Sequence, residues 1–249
     1  MRELVYLSDV KLGQFLPEVR ALPRPQIKIK TDHVDADFTK TAGERKHARL
    51  EKIINDISNY AQWYTAAPLA PGRWVQFEAP LNHLRVERFG DLVLFVDHGA
   101  AAESSTRLIL HGSARHLLID NPPVFTAPRG EDVDLGNHRQ RDAESGCSGA
   151  SIFTKDSIEL LLRILEAQPN ASLDCQPNAP SAVARTHLPD ATARLLHAVD
   201  DRLHPETATL LTGFARVTAD IAPSTTRDGA VRCVVASPLY VEYAPPGDG

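Results

Sequence analysis

Two short stretches combine residue types that hold anions. Ser8-Asp9-Val10-Lys11 follows the run Glu3–Leu7, and Gly112-Ser113-Ala114-Arg115-His116 follows Thr106–Leu110. Where a strand hands over to a helix, the first backbone N–H groups lack intrahelical partners and the helix dipole is positive, which favours an anion. In the first corner Ser8 or Asp9 caps the helix and Lys11 adds charge. An Asp9 cap already fills the anion position, so capping alone explains the same residues. In the second corner Gly112 permits close backbone approach, Ser113 can cap or bind, and Arg115 can fork onto a phosphate or carboxylate, with His116 in the first turn. Surface positions for Arg115 and His116 after a glycine turn are the plainer alternative. If the two preceding strands run parallel in one sheet, both corners open at the same sheet edge, as in the ligand crevices of open sheets.

Catalysis has fewer candidates. His116 and His98 are the histidines placed to serve as the base of a hydrolase or lyase, with residues 120–150 as a lid. Tyr240 follows the strand-interrupting Ser237-Pro238 and can offer its hydroxyl to a ligand or belong to the core. A proline at that point requires an edge or a bulge. No metal site is expected. His111 and His116 lack the His-Glu-x-x-His spacing, and a hairpin of 91–97 with 106–111 would separate His98 from His111 by roughly 20 Å at ~3.3 Å per residue. Gly146-Cys147-Ser148-Gly149 lacks the strand and the spacing of a nucleophile elbow, and nothing fixes Cys147 near His138. The sequence contains no phosphate-binding loop, no dinucleotide fingerprint and no aromatic platform among basic residues, so it names no cofactor and argues against nucleic acid as a partner.

The elements that must position these residues follow from hydrophobic periodicity. A strand Glu3–Leu7 leads into a helix Val10–Phe15 that Pro17 ends, and Gln26–Lys30 alternates like a short edge strand. The clearest helix spans Ala42–Tyr64, with Leu50, Ile53, Ile54, Ile57, Tyr60, Ala61 and Tyr64 on one stripe. Arg73–Ala79 and His83–Arg88 alternate as two strands, and the apolar run in Asp91–Val96 suits a central strand covered on both faces. Thr106–Leu110 is a further strand, the chain turns at His111-Gly112-Ser113, and a short helix covers Ala114–Ile119. Residues 120–150 are irregular. Thr154 or Asp156 caps a helix carrying Ile158, Leu161, Leu162 and Leu165, and Pro189 opens another with Leu195, Leu196, Val199 and Leu203. Strands return at Leu210–Ile221, Ala230–Ala236 and Leu239–Tyr243. Without strict βαβ alternation, the expected class is α+β. A central mixed or antiparallel sheet is flanked by about four helices and long irregular loops, in a single domain over 1–249.

With 43% hydrophobic and 24% charged residues, the chain is an ordinary globular protein rather than a disordered one. A net charge of −5 argues against bulk capture of nucleic acid or anionic membrane. No run reaches the roughly 20 apolar residues that span a bilayer, and the N-terminus lacks a signal-peptide pattern, so a cytoplasmic location is expected. Cys147, Cys175 and Cys233 are too few and too far apart for a disulfide framework or a zinc site.

Val5-Tyr6-Leu7-Ser8-Asp9-Val10-Lys11, Leu110-His111-Gly112-Ser113-Ala114-Arg115-His116-Leu117-Leu118 and Ala236-Ser237-Pro238-Leu239-Tyr240-Val241, occurring in that order, resemble an uncharacterised actinobacterial protein family. The resemblance spans nearly the whole chain. It implies a recognition module, since some relatives stand beside signalling and biological-conflict genes. The chain departs from the family's glycine-rich turn after the central strand, having Asp97-His98-Gly99 instead.

Three functions stay open at this level. One is a sensor or adaptor for an anionic small molecule, such as a nucleotide, held by Ser8, Asp9, Lys11, Gly112, Ser113, Arg115 and Tyr240. The second is an enzyme using His116 or His98. The third is a structural subunit docking a partner protein or a second copy through the charged face of Ala42–Tyr64.

Overall fold

The computed structural model describes residues 3–15, 42–86, 92–99, 105–119, 124–125, 158, 161–162, 187–224 and 231–245. Strand β1 (Leu4–Leu7) is followed by α1 (Asp9–Phe15), α2 (Ala42–Ser58), β2 (Gln62–Trp63), β3 (Trp74–Val86), β4 (Leu92–Asp97), β5 (Thr106–Ser113), β6 (Val124–Phe125), α3 (Leu188–Asp200), β7 (Thr209–Ile221) and β8 (Arg232–Tyr243). The expected edge strand at Gln26–Lys30 and the irregular stretch 126–150 lie outside the described residues. Of the helix expected after Thr154, the described Ile158, Leu161 and Leu162 are helical and buried.

The sheet is mixed, as expected, but it closes on itself. β3 pairs antiparallel with β4, β4 with β5, β5 runs parallel to β8, and β8 and β7 pair antiparallel before β7 returns to β3. These five strands form a barrel, and helices cover parts of its outside; the expected mixed sheet is present, but closed into a ring rather than flanked by about four helices. Alternate residues fill the ring: Val75, Phe77, Ala79 and Leu81 from β3, Val93 and Phe95 from β4, Leu108 and Leu110 from β5, and Val234 and Ala236 from β8 form one buried cluster. The opposite faces of the same strands are buried by helices. Leu195, Leu196 and Val199 of α3 cover Leu94, Ile109 and Val235, while Leu50, Ile53 and Ile57 of α2 cover Phe214, Leu239 and Tyr240. That double covering is why every residue of β4 is buried.

Two elements are longer than local pattern indicates. β3 is one 13-residue strand rather than two. It carries β7 along Trp74–Leu81 and β4 along Leu81–Val86, so Pro80 sits one residue before the β4 ladder begins and its missing N–H takes nothing from it. β8 runs through Ser237-Pro238 by a bulge, with Phe214 opposite Tyr240 and Ala215 already opposite Pro238. α2 is shorter than its stripe. It stops at Ser58, leaving Tyr60 exposed, and Trp63 pairs in β2.

β5 also outruns its expected end. His111, Gly112 and Ser113 pair with Leu94, Val93 and Leu92, so the expected turn is strand. A single 3-10 turn, Ala114–His116, replaces the expected helix to Ile119. The reason is competition for backbone groups, because Leu117 bridges to Tyr6 and the Leu118 N–H donates to the Val5 carbonyl. β1 therefore lies between this segment and β8, pairing antiparallel with Tyr240–Glu242.

Candidate functional site

β1 and β5 use successive halves of β8. β5 pairs with Arg232–Ala236 and runs parallel to it, whereas β1 pairs with Tyr240–Glu242 in the opposite sense. The two preceding strands are thus antiparallel, correcting the parallel arrangement on which a shared edge was conditioned. Their ends nevertheless meet head to head at Ser237-Pro238. All three segments behind the family resemblance come together there.

Neither corner is a helix-dipole site. α1 has seven residues and the second corner has one 3-10 turn, too short for an aligned macrodipole. Ser8 acts as a local cap, its Oγ accepting the Lys11 N–H at 3.4 Å, and its own N–H donates to the Leu239 carbonyl at 2.8 Å. Asp9 is exposed and ion-paired with Lys46 of α2. Gly112 makes room for a side chain of the protein. A Cβ there would lie 2.8 Å from Cζ of Tyr6, whose ring is buried edge-on to Phe95 and His116. The Tyr6 phenol, hydrogen-bonded to the Ser113 backbone and the Ser8 side chain, is pushed up to about 12 by burial.

Lys11 is the polar centre. Its side chain is buried, and Nζ reaches Ser237 Oγ at 2.6 Å and the Pro238 carbonyl at 2.8 Å. Both partners are neutral oxygens; among the described residues no carboxylate pairs with this ammonium. Burial, with the neighbouring Arg216 charge, lowers Lys11 to about 7. Arg216 stands opposite Ser237 in the β7–β8 register. Behind Lys11, His111 Nε2 meets Thr218 Oγ1 at 3.2 Å, and that hydroxyl donates to the Val235 carbonyl. Its oxygen is then the acceptor, which fixes the Nε2–H tautomer of His111. Burial first, then Lys11, lowers His111 to about 3, so it is neutral at pH 7.

His116 is mostly covered, and burial followed by the Arg115 charge lowers its pKa; Asp9 opposes this, and Lys11 and Lys46 add to it. Arg115 is exposed at the rim, its Nε 3.4 Å from His116 Nε2. The structure thus brings Ser8, Asp9, Lys11, Ser113, Arg115 and His116 to one corner. Tyr240 lies in the core beneath α2, its ring 6.1 Å from Phe214. His98 is at the far end of the β4–β5 hairpin, where Nε2 lies 3.1 Å from the Asp200 carbonyl, so it cannot act with His116.

That far end holds a cluster the sequence does not announce. Arg107 Nε donates to Asp97 Oδ1 at 2.6 Å, and its terminal nitrogens reach both oxygens of Asp200 at 2.8 and 2.9 Å. Asp97 also accepts the Leu108 N–H at 2.9 Å. Burial pushes the Asp97 carboxyl up while the Arg107 guanidinium opposes the rise. With each charge answered, the cluster ties the adjoining ends of β4 and β5 to the end of α3 and is structural. Among the described residues no group of histidine, cysteine and acidic side chains is arranged to hold a metal ion.

A family model matches residues 2–245, and that family is described only as one of unknown function, DUF7019. The chain belongs to that family. No curated protein and no solved structure matches it, so within DUF7019 the geometry of the corner is the guide to function. Among the described residues no helix is long and apolar enough to cross a membrane.

Proposed function

We propose that the corner built from Ser8–Lys11 and Ser113–His116 receives the anionic group of a small molecule, and that the protein is a ligand-binding sensor or adaptor. The observation that carries this reading is the charge balance around His116. Lys11, Arg115 and Lys46 surround it, with Arg216 next to Lys11, while the acid in their company, Asp9, is already engaged by Lys46. A buried ammonium facing neutral oxygens and further positive charge is destabilised, and an arriving phosphate or carboxylate removes that cost. Arg115 supplies an exposed fork for such a group, the half-buried Ser113 hydroxyl supplies a further donor, and Lys11 supplies the field from below, while the buried Ser8 holds the corner through Tyr6 and the Lys11 N–H. Gly112 and Tyr240 take structural parts in this reading. A nucleotide is the fuller ligand we favour, its phosphates at Arg115.

Isothermal titration calorimetry with inorganic phosphate, ATP and a dicarboxylate tests the reading. Saturable binding to at least one of them, lost in Arg115→Ala with the fold retained, is expected. No heat from any of the three, or binding unchanged in Arg115→Ala, would overturn it.

A further inference from the structure

Three features of the Lys11–Ser237 contact go beyond anion binding. Ser237 is partly exposed, whereas the amine that touches it is buried. The two are 2.6 Å apart, within reach of direct proton transfer. The serine sits at the β8 bulge, an irregularity of the kind that re-aims side chains next to active sites.

We propose that Ser237 is a nucleophile and Lys11 its general base, a serine–lysine pair able to accept an acyl group from a carboxylic ester. A lysine serves as a base only if it is kept neutral, and the two routes to that are desolvation and a second cation nearby. Lys11 has both: it is buried, and Arg216 faces it from β7. The Pro238 carbonyl anchors one N–H of Nζ at 2.8 Å, which leaves the lone pair free to turn toward Ser237 Oγ. When charged, Lys11 donates to that oxygen; when neutral, it accepts the hydroxyl proton across the same contact. Arg216, opposite Ser237 in the ladder and donating from Nε to the Gly72 carbonyl at 3.1 Å, adds positive charge on the side of Ser237 as the oxyanion develops.

The step balances within these groups. Ser237 Oγ forms a bond to the carbonyl carbon while its proton moves to Lys11 Nζ. The carbon–oxygen bond to the leaving alcohol breaks, and that oxygen takes the proton from Lys11. Water, deprotonated by the same amine, then releases the acid and restores the serine. The pair shares Lys11 with the anion reading but not Ser237, whose hydroxyl plays no part in binding at Arg115; an anion bound there would hold Lys11 protonated, so the labelling is run without phosphate.

The test uses the full chain and a small alkyl fluorophosphonate, followed by intact-mass and peptide mass spectrometry. Ser237 Oγ displaces fluoride from phosphorus and its proton passes to Lys11. One adduct mapped to Ser237 is expected, forming faster as pH rises, with a midpoint near 7. The charged and titratable groups that bear on that midpoint are Arg216 on β7, His111 on β5, and His116. Ser237→Ala should abolish the adduct, and Lys11→Met should slow it by ~10²–10⁴-fold, the ordinary contribution of a general base. Melting curves establish that each variant is folded; if Lys11→Met is not, Ser237→Ala and the wild-type pH profile carry the test. No adduct on the wild-type chain, an adduct that survives Ser237→Ala, a pH-independent rate, or an unchanged rate in folded Lys11→Met would each overturn the proposal.

Discussion

Replacing Lys11 by methionine makes the burial of its charge measurable as a pH dependence of stability. Methionine keeps the length and volume of the side chain and removes its titration. In the unfolded chain the amine titrates at 10.5, and in the native protein burial lowers it to about 7. Below pH 7 both states carry the proton, and the native state bears the full cost of the buried charge. Between pH 7 and 10.5 the unfolded chain binds a proton that the native state has released, so stability rises with pH there. Each pH unit in that window is worth about 1.36 kcal/mol. From pH 6 to pH 9 the wild-type chain should therefore gain roughly 3 kcal/mol relative to Lys11→Met, nearly all of it above pH 7. Lost hydrogen bonds to Ser237 and Pro238 do not titrate and cancel in the comparison, as do ionisable groups that Lys11 does not reach; His111 and His116, which its charge lowers, bear on the acid side and leave the rise above pH 7 to Lys11. Urea denaturation of both proteins at four pH values gives the difference directly. A difference that stays flat, or that falls as pH rises, would show that the Lys11 amine is hydrated and would remove the physical basis of the corner.

Other consequences follow from groups placed around the barrel. Gly112→Ala drives a methyl group into the buried Tyr6 ring and should cost about 1–3 kcal/mol by thermal or chemical denaturation, with part of the loss recovered when Tyr6→Phe removes the hydroxyl nearest the clash. Gly213→Ala meets the Tyr240 carbonyl and the Phe77 ring at 2.9 Å, and a rigid backbone neighbour should make this change harder to relieve than the first. Asp97→Ala leaves Arg107 paired with Asp200 but strips the acceptor from Arg107 Nε and the Leu108 N–H, and should lower stability by about 1–3 kcal/mol, read as a fall in Tm. Cys233 is buried, and burial pushes its thiol far up; labelling with a disulfide reagent, mapped to its own peptide, should occur only when the chain is unfolded.

Local pattern was enough to find elements whose burial is decided locally. The apolar run of β4, the Leu50–Ile57 stripe of α2 and the Leu195–Val199 stripe of α3 are found where periodicity puts them. Ser237-Pro238 does mark a bulge, and hairpin geometry does separate His98 from His111. Barrel closure was not legible. A strand buried on both faces reads the same whether helices cover both sides or the sheet curls around one of them. Gly112-Ser113 reads as a turn because glycine and serine are common in turns; that the glycine instead makes space for Tyr6 depends on a residue 106 positions earlier in the chain. The two corners were legible, and their meeting in one place only as a condition on strand direction. The Lys11 contact was not, because it joins residues 226 positions apart and no local pattern shows it.

Closure of the barrel also limits how the protein can meet another chain. An open sheet offers a row of unpaired N–H and C=O groups on which a peptide can be added as a further strand. Here β3, β4, β5, β8 and β7 take one another as neighbours in a ring. The strands attached outside that ring are short: β2 and β6 have two residues each, and β1 has four, held on one side by β8 and bridged on the other by Leu117. Among the described residues little backbone is left for strand addition. A partner that meets these described strands has to recognise their side chains rather than extend the sheet.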